Sequence, residues 1–321
     1  MKICIYGAGA IGGILGARLA LAGADLALVA RGAHLAAIQA RGLTLTAGAR
    51  SRTVAVRATD DPATLGVQDI VIVTLKAHAL GAALPGITRL LGATTAVVTA
   101  MNGLPWWYCY KLPGPWQDRH LKSVDPEGRI WEALGPERAV GCVVYPAGSV
   151  VAPGHVVHHF GERFVLGEPD GTLSERCLRL AAALREAGFE APVSERIRDA
   201  IWVKLWGNLC FNPLSALTGA TLEQIARDPG VRPIVERAMA EAQATGEALG
   251  VHFGMTIAER IALAESVGAF KSSMLQDLER GRSLEVDALV AAVQEVARLV
   301  GVPTPTIDVI LALVRLRART V

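Results

Sequence analysis

The segment Gly7-Ala8-Gly9-Ala10-Ile11-Gly12 constrains this chain more than any other. It follows the apolar run Lys2-Ile-Cys-Ile-Tyr6 and opens a helical pattern from Ile14 to Ala22. A strand, a glycine-rich turn and a helix in that order make the dinucleotide-binding fingerprint. The first glycine permits the tight turn, the second lets backbone approach a pyrophosphate, and the third lets helix pack on strand. The helix N-terminus then presents unpaired N–H groups to the phosphate charge. Gly7, Ala8, Gly9, Ala10, Ile11 and Gly12 are therefore candidate cofactor-binding residues.

The type of dinucleotide is decided at the end of the second strand. An acidic residue there would hydrogen-bond the adenosine ribose of NAD, but Leu26-Ala-Leu-Val-Ala30 delivers Arg31, followed by Gly32 and His34. A guanidinium in that place suits a 2′-phosphate, so the expected cofactor is NADPH (NADP+), with Arg31 among its ligands.

Around this loop the first half alternates apolar runs with helical patterns: residues 25–29, 53–56, 69–73 and 95–98 follow the first strand. Strands apolar on both faces and separated by helices imply a parallel sheet covered on each side. From about residue 139 three further strand-like runs are expected to extend that sheet antiparallel. Beyond Leu173 only Ala- and Leu-rich helical spacing remains, punctuated by Pro192, Pro213, Pro229, Pro233, Pro303 and Pro305. The expected fold is α/β: an N-terminal Rossmann-type doubly wound sheet with an antiparallel extension over residues 1–194, then an all-α C-terminal domain over residues 195–321. A cleft between the two is the expected place for a ligand.

Composition narrows the function. With 321 residues, 51% of them hydrophobic, there is material for two cores. A formal charge of +2 without a long basic run gives no electrostatic footprint for nucleic acid, and a small-molecule partner is expected instead. Five cysteines without a Cys-x-x-Cys pair argue against a disulfide framework or zinc knuckle and for a cytoplasmic setting. The glycines of the N-terminal segment, with Arg18, argue against a signal peptide, and Leu90–Tyr110 reads as strand then loop, so no membrane association is expected. No metal is expected either: His155, His158 and His159 lie on an alternating strand that sends neighbours to opposite faces.

Polar residues in apolar surroundings mark candidate chemistry. Lys76 and Asn102 each follow a parallel strand, at the carboxyl end where open α/β sheets bind ligands. Further on, Lys204, Asn208 and Asn212 fall at i, i+4 and i+8 and share one stripe of an otherwise apolar helix. Such a stripe is either a buried structural network or a substrate surface, and a bound 2-oxo acid would supply the partners the amides need. The chain uses only six lysines, so Lys76 and Lys204 stand out. A lysine can release its proton in a working pH range; an arginine does not.

Taken together, Gly7-Ala-Gly-Ala-Ile-Gly12-Gly, Val73-Thr-Leu-Lys76-Ala, Asn102-Gly103, Lys204-Leu-Trp-Gly-Asn208-Leu-Cys-Phe-Asn212-Pro-Leu and the run from Ser272-Ser273 to Glu285-Val-Asp287 resemble the ketopantoate reductases (2-dehydropantoate 2-reductases). The resemblance covers nearly the whole chain, with the motifs in order. It implies NADPH-dependent reduction of the 2-oxo group of ketopantoate to D-pantoate, on the route to pantothenate and coenzyme A. By the same resemblance Lys204 is the expected general acid and Glu285 an active-site carboxylate beside the nicotinamide ribose. Asn208, Asn212 and Ser273 are expected substrate contacts. Lys76, Asn102 and Ala147 are expected cofactor contacts, Asn102 touching substrate as well.

Two departures from the family pattern stand out. The stretch between Asn102 and Gly141 is roughly twenty residues longer than in commoner members, an unusual length for a connection within a compact domain. It carries Trp106, Trp107, Trp116 and Trp131, and it reads as a lid, a partner surface or a flap over the fold's own core. A further substrate asparagine of the family falls near Thr221 or Leu222 here. These features keep a bulkier, more aromatic 2-oxo acid open as an alternative substrate; the alternative class is a non-catalytic NADP(H)-binding sensor that retains the glycine loop, against which Lys204, Asn208, Ser273 and Glu285 count. A homodimer through the helical domain is also open.

Overall fold

The computed structural model describes residues 1–320. Among them eleven strands run through the first 167 residues: β1 (Ile3–Tyr6), β2 (Leu26–Val29), β3 (Leu43–Ala47), β4 (Arg50–Val54), β5 (Arg57–Thr59), β6 (Ile70–Val73), β7 (Ala96–Thr99), β8 (Ala139–Val144), β9 (Ala147–Ala152), β10 (His155–Phe160) and β11 (Phe164–Gly167). The helices are α1 (Ala10–Leu21), α2 (Gly32–Arg41), α3 (Leu80–Ile87), α4 (Arg129–Leu134), α5 (Glu175–Glu186), α6 (Ile197–Thr218), α7 (Leu222–Arg227), α8 (Arg232–Ala248), α9 (Ile257–Ser266), α10 (Ser273–Glu279), α11 (Ala292–Val300) and α12 (Pro305–Arg319). Two compact units result. The first comprises Met1–Met101, Tyr110–Leu112 and Gly128–Ile197, the second Asn102–Cys109, Pro113–Glu127 and Arg198–Val321.

In the first unit the main sheet has the order β11-β8-β7-β6-β1-β2-β5. Its six strands from β8 to β5 are parallel, and β11 alone runs antiparallel, against β8. This is a doubly wound sheet whose connectivity reverses between β1 and β6, where such folds bind ligands. β1, β2, β6 and β7 are buried almost throughout, as expected of strands covered on both faces.

The strands expected from the sequence need correction in two places. Of the run 53–56 only Thr53 and Val54 lie in a strand, as the end of β4, while the strand beside β2 is β5, Arg57–Thr59. Of the three runs expected to extend the sheet antiparallel, only the last does so. β8 continues it in parallel, and β10 enters a second sheet of order β4-β3-β10-β9. The second sheet exists because β3 (Leu-Thr-Leu-Thr-Ala) alternates: Leu43 and Leu45 are buried, while Thr44 and Thr46 bond across to Thr53 and Ser51 at 2.8 and 3.0 Å. It packs on α1 through two bare glycines. A Cβ on Gly13 would stand 2.6 Å from Val156 Cγ1, and one on Gly148 would stand 2.5 Å from Ile14 Cδ1.

The second unit is helical, as expected, but the start of the tryptophan-rich stretch, residues 104–109, is part of its core. Trp107 and Tyr108 are fully buried, and Trp106 and Cys109 nearly so. The Tyr108 hydroxyl accepts from Trp202 Nε1, its carbonyl accepts from Arg198 Nε at 3.0 Å, and burial pushes its phenol pKa up. Farther along, the Glu295 carboxylate accepts from the Lys122 and Ser123 N–H groups at 2.8 and 2.7 Å. Of the readings offered for this stretch, a flap over the fold's own core describes residues 104–109. Trp131 lies apart, in the first unit, edge-on to Tyr110. Pro213 does not end a helix: it sits inside the 22-residue α6, where its missing N–H leaves the Leu209 carbonyl without its usual helical donor.

No helix among the described residues is long and apolar enough to cross a membrane. All five cysteines are buried and outside any disulfide. Burial pushes the thiols of Cys4 and Cys177 up to about 12 and that of Cys109 up to about 11. We therefore expect no thiol of the native protein to react with an aromatic disulfide reagent at about pH 8, and all five to react on unfolding. Because the folded thiols titrate above the unfolded value of about 8.5, their contribution to stability is complete below that pH and is lost as pH rises toward the folded values. Fast labelling of any cysteine in the native state would contradict this burial.

Candidate active site

The glycine loop occupies the carboxyl end of β1. Gly7 has φ +111°, a conformation that favours glycine, and its carbonyl accepts from the Thr74 hydroxyl. Gly9 is the residue before α1. A Cβ on Gly12 would fall 1.9 Å from the Gly7 carbonyl oxygen, whereas one on Gly9 would meet nothing within 4 Å. The third glycine is thus required by packing, and the second leaves open space at a helix N-terminus. Ala8, Ala10 and Ile11 complete the loop and the first turn of α1.

Next to it, Arg31 is exposed and takes the position before α2 in an extended conformation. Burial raises the Tyr6 phenol above its usual range, and the Arg31 cation works in the opposite direction. His34 lies in the first turn of α2. Its Nδ1 accepts from the Gly154 N–H at 3.0 Å, which puts the ring proton on Nε2. Nε2 is buried and forms no hydrogen bond of full geometry. Burial lowers the pKa of the ring and the Ala8 backbone works the other way, so the imidazole stands beside the glycine loop. An open cradle at Gly9, an exposed arginine and a ring N–H beside the loop fit a nicotinamide dinucleotide. Lys76 follows β6 on the other side of the switch point, two residues beyond the threonine that holds Gly7. Ala147 opens β9 in the second sheet.

The second unit gathers the other candidates. Lys204, Asn208 and Asn212 lie along α6 as their spacing requires; the first two are half-buried and Asn212 is buried. Asn102 joins them from 102 residues away, its Oδ1 accepting from Lys204 Nζ at 2.7 Å. Lys204 therefore sits at hydrogen-bond distance from an amide oxygen that can orient its ammonium group. Ser273 is exposed at the first position of α10, and its neighbour Ser272 is the buried one. The Ser272 hydroxyl accepts from Leu275 N–H at 3.1 Å and reaches the Asn212 carbonyl at 3.5 Å. Glu285 is half-buried just ahead of a π-helical turn, Asp287–Ala291, that runs into α11. Thr221, one of the positions considered for a family asparagine, caps α7 through a reciprocal bond with Gln224.

Sequence reasoning missed three residues. Thr74 stands within the motif Val73-Thr-Leu-Lys76 and gave no separate signal. Ser272 was indistinguishable from Ser273 until α10 was placed. Arg260 of α9 lies over Gly207, where a Cβ would fall 1.7 Å from its Nη2, and its Nε donates to the Val203 carbonyl at 3.3 Å. This sets a guanidinium against α6 within a turn of Lys204. The three histidines of β10 have protein partners: His155 meets Thr46, His158 meets Arg18 and the Gly161 carbonyl, and His159 meets Ser149.

A switch-point glycine loop, with a lysine held by an amide in a helical unit, defines an oxidoreductase that takes its reducing equivalents from NAD(P)H. The family model of the ketopantoate reductase PanE/ApbA matches residues 3–171, and that of its C-terminal part matches residues 196–318. The chain is 56% identical over 316 residues to the 2-dehydropantoate 2-reductase of Mesorhizobium japonicum, covering 98% of this chain and 97% of that one. A more distant relative of the same name, from Archaeoglobus fulgidus, is 29% identical over 98% of this chain and 97% of its own length. Among solved structures, a PanE/ApbA family ketopantoate reductase from Ralstonia eutropha superposes with a TM-score of 0.85 at 30% identity, covering 100% of this chain and 99% of that one. The chain belongs to the ketopantoate reductase family.

Proposed function

We propose that this protein reduces the 2-oxo group of 2-dehydropantoate to D-pantoate with NADPH, in pantothenate biosynthesis. The observation that carries the reading is the 2.7 Å bond from Lys204 Nζ to Asn102 Oδ1, in a chain 56% identical to a 2-dehydropantoate 2-reductase. Residues 1–194 are assigned to NADP binding and residues 195–321 to substrate and catalysis, with Asn102 contributed by the segment that groups with the helices.

When bound, NADPH supplies the hydride that the 2-oxo carbon accepts. The chain does the rest. Gly7 to Gly12 would receive the pyrophosphate and Arg31 would pair with the 2′-phosphate; Lys76, Asn102 and Ala147 are assigned as further cofactor contacts and Glu285 as the carboxylate beside the nicotinamide ribose. As the ketone carbon becomes tetrahedral, negative charge gathers on its oxygen. An ammonium at Lys204 Nζ stabilises that charge and donates its proton to the oxygen. Asn102 Oδ1 takes one of its three N–H donors and so fixes the direction of the others. A Glu285 carboxylate near Lys204 would favour the ammonium form by its negative charge. Asn208, Asn212 and Ser273 bind the carboxylate and hydroxyl of the substrate as neutral donors and add no competing cation.

Purified protein tested with ketopantoate and a panel of branched and aromatic 2-oxo acids, following the absorbance of reduced nicotinamide, decides the substrate. The highest kcat/KM is expected with ketopantoate, and likewise with NADPH over NADH. Turnover confined to another acid would overturn the substrate assignment. In the same assay Arg31→Ala should weaken NADPH binding by about 10–100-fold, the loss of one charge-assisted hydrogen bond of roughly 1.5–3 kcal/mol, and leave NADH unaffected. Equal losses for both cofactors would remove Arg31 from the 2′-phosphate. Buried cysteines outside any disulfide support a cytoplasmic setting. Val309, Leu313 and Leu316, exposed on α12, support a homodimer.

A further inference from the structure

The π-helical turn Asp287–Ala291 is the irregular element nearest the proposed catalytic residues in sequence, beginning two positions after Glu285. π-Turns are rare, carry one residue more than an α-turn, and are concentrated at functional sites. Here the Ala288 carbonyl accepts from the Leu104 N–H at 3.0 Å, so a helix carbonyl is bonded to a segment outside its own helix. Between Asn102 and Leu104 stands Gly103, at φ +92°. A Cβ there would lie 2.4 Å from the Ala288 oxygen and 2.7 Å from its carbonyl carbon. Backbone cannot rotate away as a side chain can, so only glycine lets the chain come this near the turn. The residue immediately before this contact is Asn102, whose Oδ1 holds Lys204 Nζ.

We infer that Gly103 and the π-turn form a clamp that sets the Asn102–Lys204 pair, and that Gly103 is a positioning residue for proton transfer. This rests on the reductase reading for its kinetic consequence but not for its geometry. The chemistry needs the ammonium within hydrogen-bond reach of the ketone oxygen, and a shift of about 1 Å in such a group costs on the order of 100-fold in rate. Gly103→Ala pushes Asn102 away from Ala288 by at least part of that distance. Glu285 precedes the same turn, so one backbone contact links three of the proposed active-site residues.

The test is a double-mutant cycle in the full chain. Gly103→Ala should lower kcat by about 10–100-fold, with a change in NADPH Kd no larger than that of Asn102→Ala, because Asn102 is the cofactor contact it displaces while the glycine loop belongs to the other unit. In an Asn102→Ala background the same substitution should cost little more, since the group it displaces is gone. A purely structural effect would multiply in both backgrounds, and that result overturns the inference. A second readout needs no turnover. With six lysines in the chain, acylation by an amine reagent is resolved residue by residue by mass spectrometry. Lys204 in Gly103→Ala should label at the rate found in Asn102→Ala, with the other lysines unchanged. Labelling at the wild-type rate overturns the clamp whether or not the protein reduces ketopantoate, while an inactive wild type with the expected labelling overturns only the functional reading. Should Gly103→Ala fail to fold, deletion of Ala291, which shortens the π-turn to an α-turn, must give the same change at Lys204 with Gly103 intact.

Discussion

Lys204→Ala is expected to lower kcat by about 100–10,000-fold, the range typical of losing a general acid, with NADPH affinity unchanged. The size follows from what the side chain supplies. Hydride arrival leaves an alkoxide, and without a donor within hydrogen-bond reach that charge must be carried by the site and protonated by water. Lys204 Nζ lies 2.7 Å from Asn102 Oδ1, so the donor is already directed before substrate enters. Lys204→Arg sharpens the test. Arginine keeps the positive charge but effectively never releases a proton, so it should recover some substrate affinity and little kcat. Turnover near wild type in Lys204→Ala would sink the assignment, and full turnover in Lys204→Arg would reduce the lysine to a charge.

The second large effect lies in the glycine loop, where Gly9 and Gly12 should respond differently to the same added methyl. Gly12→Ala is expected to lower both thermal stability and NADPH affinity, because its methyl would stand 1.9 Å from the Gly7 carbonyl oxygen and 2.5 Å from Thr74 Oγ1. Overpacking of this kind costs typically about 1–3 kcal/mol, which in binding is on the order of 5–150-fold. Gly9→Ala meets no protein atom within 4 Å, so the fold should keep its wild-type unfolding temperature. NADPH binding should still fall, because the methyl occupies the space through which a pyrophosphate reaches the backbone. Cofactor titration by fluorescence beside thermal unfolding separates the two. Unaltered NADPH affinity in Gly9→Ala would place the cofactor elsewhere.

Much of the architecture was legible because its signals are local. A strand, a glycine turn and a helix are adjacent in the chain, and the strands β1, β2, β6 and β7 show unbroken apolar runs. The stripe of Lys204, Asn208 and Asn212 follows from helical periodicity alone. The second sheet was illegible: β10 joins β3 in parallel across more than a hundred residues, a pairing that no short window reports. Neither could the tryptophan-rich stretch be assigned from composition. Large aromatic side chains suit a lid and a core equally, and only the Tyr108–Trp202 bond and the burial of Trp107 distinguish them.

By itself the sequence determined the class of fold, the dinucleotide loop and the identity of the polar residues on α6, since each depends on steric and periodic rules acting over a few residues. Tertiary structure decided which of those residues meet. Asn102 reaches Lys204 because the segment after β7 packs among the helices, and Gly103 can approach Ala288 because a π-turn presents its carbonyl there. Ser272 rather than Ser273 is buried because α10 begins between them. Such contacts are set by packing between distant segments, where one backbone atom excludes another, and a linear chain carries no record of that distance.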